Sequence, residues 1–162
     1  MTLGWRTGWT HPAFWLATWG GVGLIRPAPG SWASLAALPF AYGLALWGGS
    51  LALALAALGL FFAGWWAASL YQRRSGESDP SAVVIDEVVG QWIALVPVVL
   101  WCDESIIGYG LAFAAFRLLD ISKPWPVSLA DRRHDGLGVM LDDGVAGALA
   151  GLLTFGLCRY VL

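Results

Sequence analysis

Residues 82–101 read AVVIDEVVGQWIALVPVVLW. The run is almost entirely apolar, yet Asp86 and Glu87 stand side by side near its start. From Val83 to Trp101 it approaches the roughly 20 apolar residues that a membrane-spanning helix needs. A charge inside a bilayer costs on the order of 2.5–3.5 kcal/mol even on lenient insertion scales. Two adjacent carboxylates at the mouth of such a helix therefore need a reason. The same pattern returns at 141–153, LDDGVAGALAGLL, where Asp142 and Asp143 open the last apolar run.

The whole chain shares this character. Its 162 residues are 58% hydrophobic and 12% charged, with 11 Trp and 21 Gly, and the mean hydropathy is +0.67. Soluble domains carry about 25% charged residues. The composition predicts an all-α, polytopic integral membrane bundle, and residues 1–162 read as a single membrane-embedded domain. A net charge of −2 gives no reason to expect nucleic acid as a partner. The opening MTLGWRTGWT has no compact apolar core or cleavage pattern of a secretory signal. The only cysteines, Cys102 and Cys158, lack zinc-type spacing.

Working outward from the third apolar run, about five spans are predicted: 31–48, 50–71, 83–101, 106–119 and 143–162. Only Gly48 and Gly49 separate the first two, which predicts an antiparallel hairpin. Before them, 11–30 is apolar but broken by glycines and by Pro12, Pro27 and Pro29, and reads as an interfacial or re-entrant segment. Asp79 followed by Pro80 is a strong N-cap signal. It predicts that the third helix begins there and carries Asp86 and Glu87 about two turns inward. With five spans, eight of the nine basic residues fall on one face, all but Arg159. The bias of Lys and Arg toward the inner side makes that face cytoplasmic. Asp86, Glu87, Asp120, Asp142 and Asp143 share it, while Asp103 and Glu104 lie opposite.

Two readings of the carboxylates stay open on the residues alone. One is structural: acids suit the positive end of a helix dipole, which fits Asp142 and Asp143 if they precede their helix. The other is a divalent cation site, since magnesium takes hard oxygen ligands together with water and a substrate phosphate. Arg117 and Asp120 are three apart and share a helix face, while Lys123, preceding Pro124, is expected to point into the loop. The three either brace one another or ground a phosphate. Other phosphatase chemistries lack their residues: neither cysteine has an arginine six positions on, D-x-D is missing, and His11 and His134 form no nucleophile pattern. Metal-activated water with carboxylate ligands remains. Gly147-x-x-x-Gly151 gives the last helix a small-residue face, which predicts that it holds Asp142 and Asp143 against the helix bearing Asp86 and Glu87.

Four segments then carry a resemblance: GLIRPAPGSWASLAALP (23–39), DPSAVVIDEVVGQWIAL (79–95), FRLLDISKPWP (116–126) and GLGVMLDDGVAGALAGLL (136–153). In these motifs, their order and their spacing, the chain resembles the phosphatidylglycerophosphatase A family. The resemblance implies a helical, membrane-embedded, Mg2+-dependent enzyme of the bacterial cytoplasmic (inner) membrane. It implies removal of the terminal phosphate of phosphatidylglycerophosphate at the cytoplasmic face, leaving phosphatidylglycerol. By matching position it implies Asp86, Glu87, Asp142 and Asp143 as catalytic and metal-binding residues. Arg117, Asp120, Lys123, Pro29 and Gly30 fall on its substrate-binding positions. Ser31 stands where the family often has threonine, and Arg132, of the charge-rich Arg132–Arg133 pair, is taken with the substrate-binding set.

Two rivals differ in kind. A CDP-alcohol phosphotransferase also uses intramembrane aspartates, but here only Gly138-x-x-x-Asp142 imitates its signature and the D-x-x-D-G-x-x-A-R half is absent. A small ion or solute transporter is expected to place acids near mid-bilayer, whereas these candidates gather at one face.

Overall fold

The computed structural model describes residues 10–102, 105–130, 132–133 and 135–160. Helix is the only regular structure among them. In chain order these are α1 (Pro12–Ala17), a single 3-10 turn (Val22–Leu24), α2 (Pro29–Ser75), α3 (Ile85–Trp101), α4 (Ile106–Ser122), α5 (Val127–Ala130) and α6 (Gly136–Tyr160). Two of them, α2 and α6, are long and apolar enough to cross a membrane. Expectations that fall on residues 1–9, Asp103, Glu104, His134 and 161–162 lie outside the described residues.

The glycine pair divides α2. Gly48 (φ −153°, ψ 21°) and Gly49 (φ 64°, ψ −159°) leave helical geometry, and the left-handed φ of Gly49 suits a residue without a Cβ. Gly30 lies against Glu87, and a Cβ on Gly64 would stand 3.1 Å from Ile85. On one straight helix residues 30 and 64 would be about 50 Å apart at 1.5 Å per residue. Both instead meet the start of α3, so the two arms fold back on each other as a hairpin.

The centre of the molecule is the α3–α6 pair, its most extensive contact. Gly147 lies directly on the backbone of Gly90, where a Cβ would collide with the Gly90 carbonyl. A Cβ on Gly151 would stand 3.0 Å from Pro97 and 3.2 Å from the Ala94 carbonyl oxygen. Small residues thus let the two backbones touch, as the glycine spacing predicts. The first arm of α2 is tied to α3 where Trp92 Nε1 donates to the Ala37 carbonyl at 3.1 Å. A second apolar cluster of Ala94, Ala115, Phe116, Ala146 and Ala150 seats α4 against the same pair.

Several boundaries differ from the sequence reading. α3 begins at Ile85 and not at Pro80, so Asp86 and Glu87 lie in its first turn. The cause is nonlocal. Val83 N–H closes a turn on the Pro80 carbonyl at 2.9 Å, and Val84 N–H donates to Ala17 O, also at 2.9 Å, drawing 80–84 onto the N-terminal segment. α6 begins at Gly136, so Asp142 and Asp143 lie inside it instead of preceding it. Asp135 caps that helix, its Oδ1 accepting from Gly138 N–H at 2.8 Å. The dipole reading therefore changes places: position alone suits it to the first carboxylate pair and not the second. In the N-terminal segment, α1 is capped by His11 Nδ1, which accepts from Ala13 N–H at 3.2 Å, and it buries Ala13, Phe14 and Ala17.

Candidate functional site

A cleft of about 310 Å³ opens where α2, α3 and α6 begin and α4 ends. α3 contributes Asp86 and Glu87, α6 contributes Asp142 and Asp143, the end of α4 contributes Arg117, Asp120 and Lys123, and the start of α2 contributes Pro29 and Gly30. Ser31 and Arg132 are not on its wall, whereas Arg133 is.

The carboxylates divide by partner. Asp86, Glu87 and Asp143 each offer one oxygen, and these three atoms lie within 4.8 Å of one another. Asp86 is 9% exposed and Asp143 3%. One oxygen of each (Asp86 Oδ1, Glu87 Oε2 and Asp143 Oδ2) is buried with no hydrogen-bond partner among the described residues. Three hard oxygen donors converging in a buried pocket are a donor set that fits a divalent cation such as magnesium. Asp142 faces another way. Its Oδ2 is 2.8 Å from Lys123 Nζ, and its Oδ1 accepts from the Asp143 N–H at 3.0 Å.

Lys123 reaches Asp142 because of its backbone. It is the C-cap of α4 with φ 44° and ψ 53°, a left-handed turn, and its side chain swings into the cleft instead of out into the loop. Arg117 and Asp120 use the expected i, i+3 spacing, Nη1 to Oδ2 at 2.7 Å. The same Nη1 lies 3.5 Å from Ser34 Oγ, which itself donates to the Gly30 carbonyl at 2.9 Å. Ser34, one turn into α2, was missed by motif reading; its signal is its i+4 spacing from Gly30.

Gly30 is required by contact. A Cβ there would run into the Glu87 carboxylate and stand 3.3 Å from Arg117 Nη2. Its absence lets the start of α2 close on α3. That helix has no side-chain cap, its N-cap Ala28 being left-handed with φ 57°. Its partial positive end, the part of a helix that attracts phosphate, therefore faces the cleft.

Arg133 enters from the connection before α6. Its Nη2 is 3.0 Å from Asp135 Oδ2 and its Nε 3.4 Å from Asp135 Oδ1. That hydrogen bond, joined by the one from Gly138 N–H, holds the Asp135 carboxyl below its ordinary range.

Fold and cleft together define a helix-bundle protein whose buried carboxylates and paired cations meet where three helices begin. The family model for phosphatidylglycerophosphatase A matches residues 15–158. The chain is 36% identical over 148 residues to phosphatidylglycerophosphatase A of Escherichia coli (strain K12), covering 90% of this chain and 84% of that protein. It is 35% identical over 156 residues to the Haemophilus influenzae protein of the same name, covering 94% and 92%. Over 102 residues it is 42% identical to a Bacteroides thetaiotaomicron protein with a provisional phosphatidylinositol-3-phosphatase name, covering 62% of each. No solved structure matches the chain. The chain belongs to the phosphatidylglycerophosphatase A family.

Proposed function

We propose that the protein is a magnesium-dependent lipid phosphatase of the bacterial inner membrane. It removes the terminal phosphate of phosphatidylglycerophosphate at the cytoplasmic face and leaves phosphatidylglycerol. The observation that carries this reading is the single cleft in which the Asp86–Glu87–Asp143 trio lies beside Arg117 and Lys123. The family names add the lipid.

Asp86, Glu87 and Asp143 would hold the ion. Bound there, magnesium supplies neutralisation of phosphate charge and activation of water. The chain's own residues bind and orient the substrate. Arg117, fixed by Asp120, presents a planar guanidinium to the phosphate, and Lys123, fixed by Asp142, presents a point charge. The start of α2 adds partial positive charge on the side of Gly30.

A five-span arrangement is part of the proposal. The two arms of α2 and the 25 residues of α6 have spanning length. α3 and α4, of 17 residues each, reach about 25 Å, close to a hydrocarbon core of about 30 Å. Exposed aromatic side chains support the depth. Trp47, Trp101 and Tyr160 lie at the helix ends away from the cleft, and Trp32 and Trp125 at the cleft end. Such belts mark the two interfaces of a membrane.

The test is phosphate release by detergent-solubilised protein with magnesium or with EDTA. It is run on phosphatidylglycerophosphate and, in parallel, on phosphatidylinositol 3-phosphate. Magnesium-dependent release from the first is expected. Release unaffected by EDTA would remove the metal from the reading, and release from the second lipid alone would overturn the substrate.

A further inference from the structure

We infer that Arg133 is a specificity-determining residue that binds the second, non-reacting phosphate of the substrate headgroup. The inference rests on the lipid phosphatase reading above, whose substrate carries a phosphodiester in addition to the terminal phosphate.

Three cations line the cleft, and they are not equivalent. Arg117 and Lys123 are matched inside it to Asp120 and Asp142. Arg133 stands at the rim, its side chain 54% exposed, and among the described residues it pairs with Asp135, itself 56% exposed. An ion pair this open contributes little to folding. Yet its surroundings hold it in place. Arg133 N–H closes a turn on the Ala130 carbonyl at 3.0 Å. Its backbone lies so close to Gly138 that a Cβ on that glycine would collide with the Arg133 carbonyl. Asp135, fixed by capping α6, grips the guanidinium from Nε and Nη2. This pins an arginine that still has donors to spare, because a guanidinium carries five N–H groups.

Depth gives it a role. Asp143 lies about 10 Å along α6 from Gly136 at 1.5 Å per residue, and Arg133 precedes that helix. The trio is therefore below the rim and Arg133 at it. A headgroup with its terminal phosphate among the carboxylates leaves its diester nearer the rim, within the field of Arg133. A lipid with a single phosphate has no group for that position. Arg133 would thus separate two-phosphate headgroups from simple phosphomonoesters.

Binding tests this without relying on turnover. In buffer with magnesium, titration calorimetry compares two ligands whose terminal phosphate is replaced by a non-hydrolysable phosphonate: the deacylated two-phosphate headgroup, glycerophosphoglycerophosphate, and glycerol 3-phosphate. Wild type is expected to prefer the first, and Arg133→Gln to bind it about tenfold more weakly, the loss of one charge-assisted contact. Glycerol 3-phosphate binding should not change. Arg133→Lys should recover part of the loss, and Arg159→Gln, at the far end of α6, should show none. No preference in wild type, or an equal loss for both ligands in Arg133→Gln, overturns the inference. Phosphate release by wild type, measured on the same preparation, reports separately on the phosphatase reading.

Discussion

Asp142 and Asp143 are neighbours in the chain with different company. Asp143 joins Asp86 and Glu87, whereas Asp142 is held by Lys123. On the proposed reading, neutralising them should therefore have different effects. In Asp143→Asn and Asp86→Asn the magnesium concentration for half-maximal turnover should rise at least about tenfold, as when even an outer contact of a metal site is lost. In Asp142→Asn turnover should fall while magnesium demand stays at the wild-type value. An equal shift in magnesium demand for Asp142→Asn would make all four acids ligands, as the motif alone implied. In the metal-free protein the three carboxyls crowd one another, and like charges repel strongly where water is scarce. Metal-free Asp143→Asn should melt higher than wild type, by about 2–4 °C for each 1 kcal/mol of repulsion relieved. An unchanged or lower melting temperature would contradict that. Much of this site was legible in the sequence, because acids in an apolar helix and R-x-x-D spacing have few local meanings. What was not legible depended on the backbone. No local signal told that Lys123 takes a left-handed turn and points inward.

Helices α3 and α6 set the spacing of the trio, and glycine sets the spacing of the helices. Gly147 and Gly90 touch backbone to backbone, so Gly147→Ala has nothing flexible to displace. It should cost about 1–3 kcal/mol as an overpacked contact and should reduce turnover as the acids move apart. Gly59 and Gly156 have nothing within 4 Å of an added Cβ. Gly59→Ala and Gly156→Ala should instead stabilise the protein by up to about 1 kcal/mol through helix propensity. Thermal unfolding of the three variants in one detergent checks the contrast, and a Gly147→Ala protein as stable as Gly156→Ala would refute it. At this scale the apolar runs, the Gly48–Gly49 break and the small-residue face could be read directly. The start of α4 at Ile106 could be read as well, but those of α3 and α6 could not. Asp79–Pro80 is a sound capping signal, yet α3 begins at Ile85 because Val84 N–H is taken by Ala17, nearly seventy positions earlier. Asp142-Asp143-Gly144 has the composition of a loop and lies within α6, whose cap is Asp135.

Across the whole molecule, the proposed topology puts Cys102 at the end of α3 and Cys158 near the end of α6 on the outer side. They form no disulfide with each other. A membrane-impermeant thiol reagent added to intact spheroplasts should label the protein through them, and a Cys102→Ser/Cys158→Ser variant should stay unlabelled. Labelling seen only in inverted vesicles would reverse the orientation. The depth of Asp142 and Asp143 within α6 has a further consequence on the proposed reading. Hydrolysis makes two products of opposite solubility in one recess. Inorganic phosphate departs upward, past Arg133, into water. The lipid, anchored by its tails with its diester at the rim, stays at the membrane face and leaves along it. A reaction carried out below the rim thus ends with separate destinations for its products, water for one and the membrane for the other.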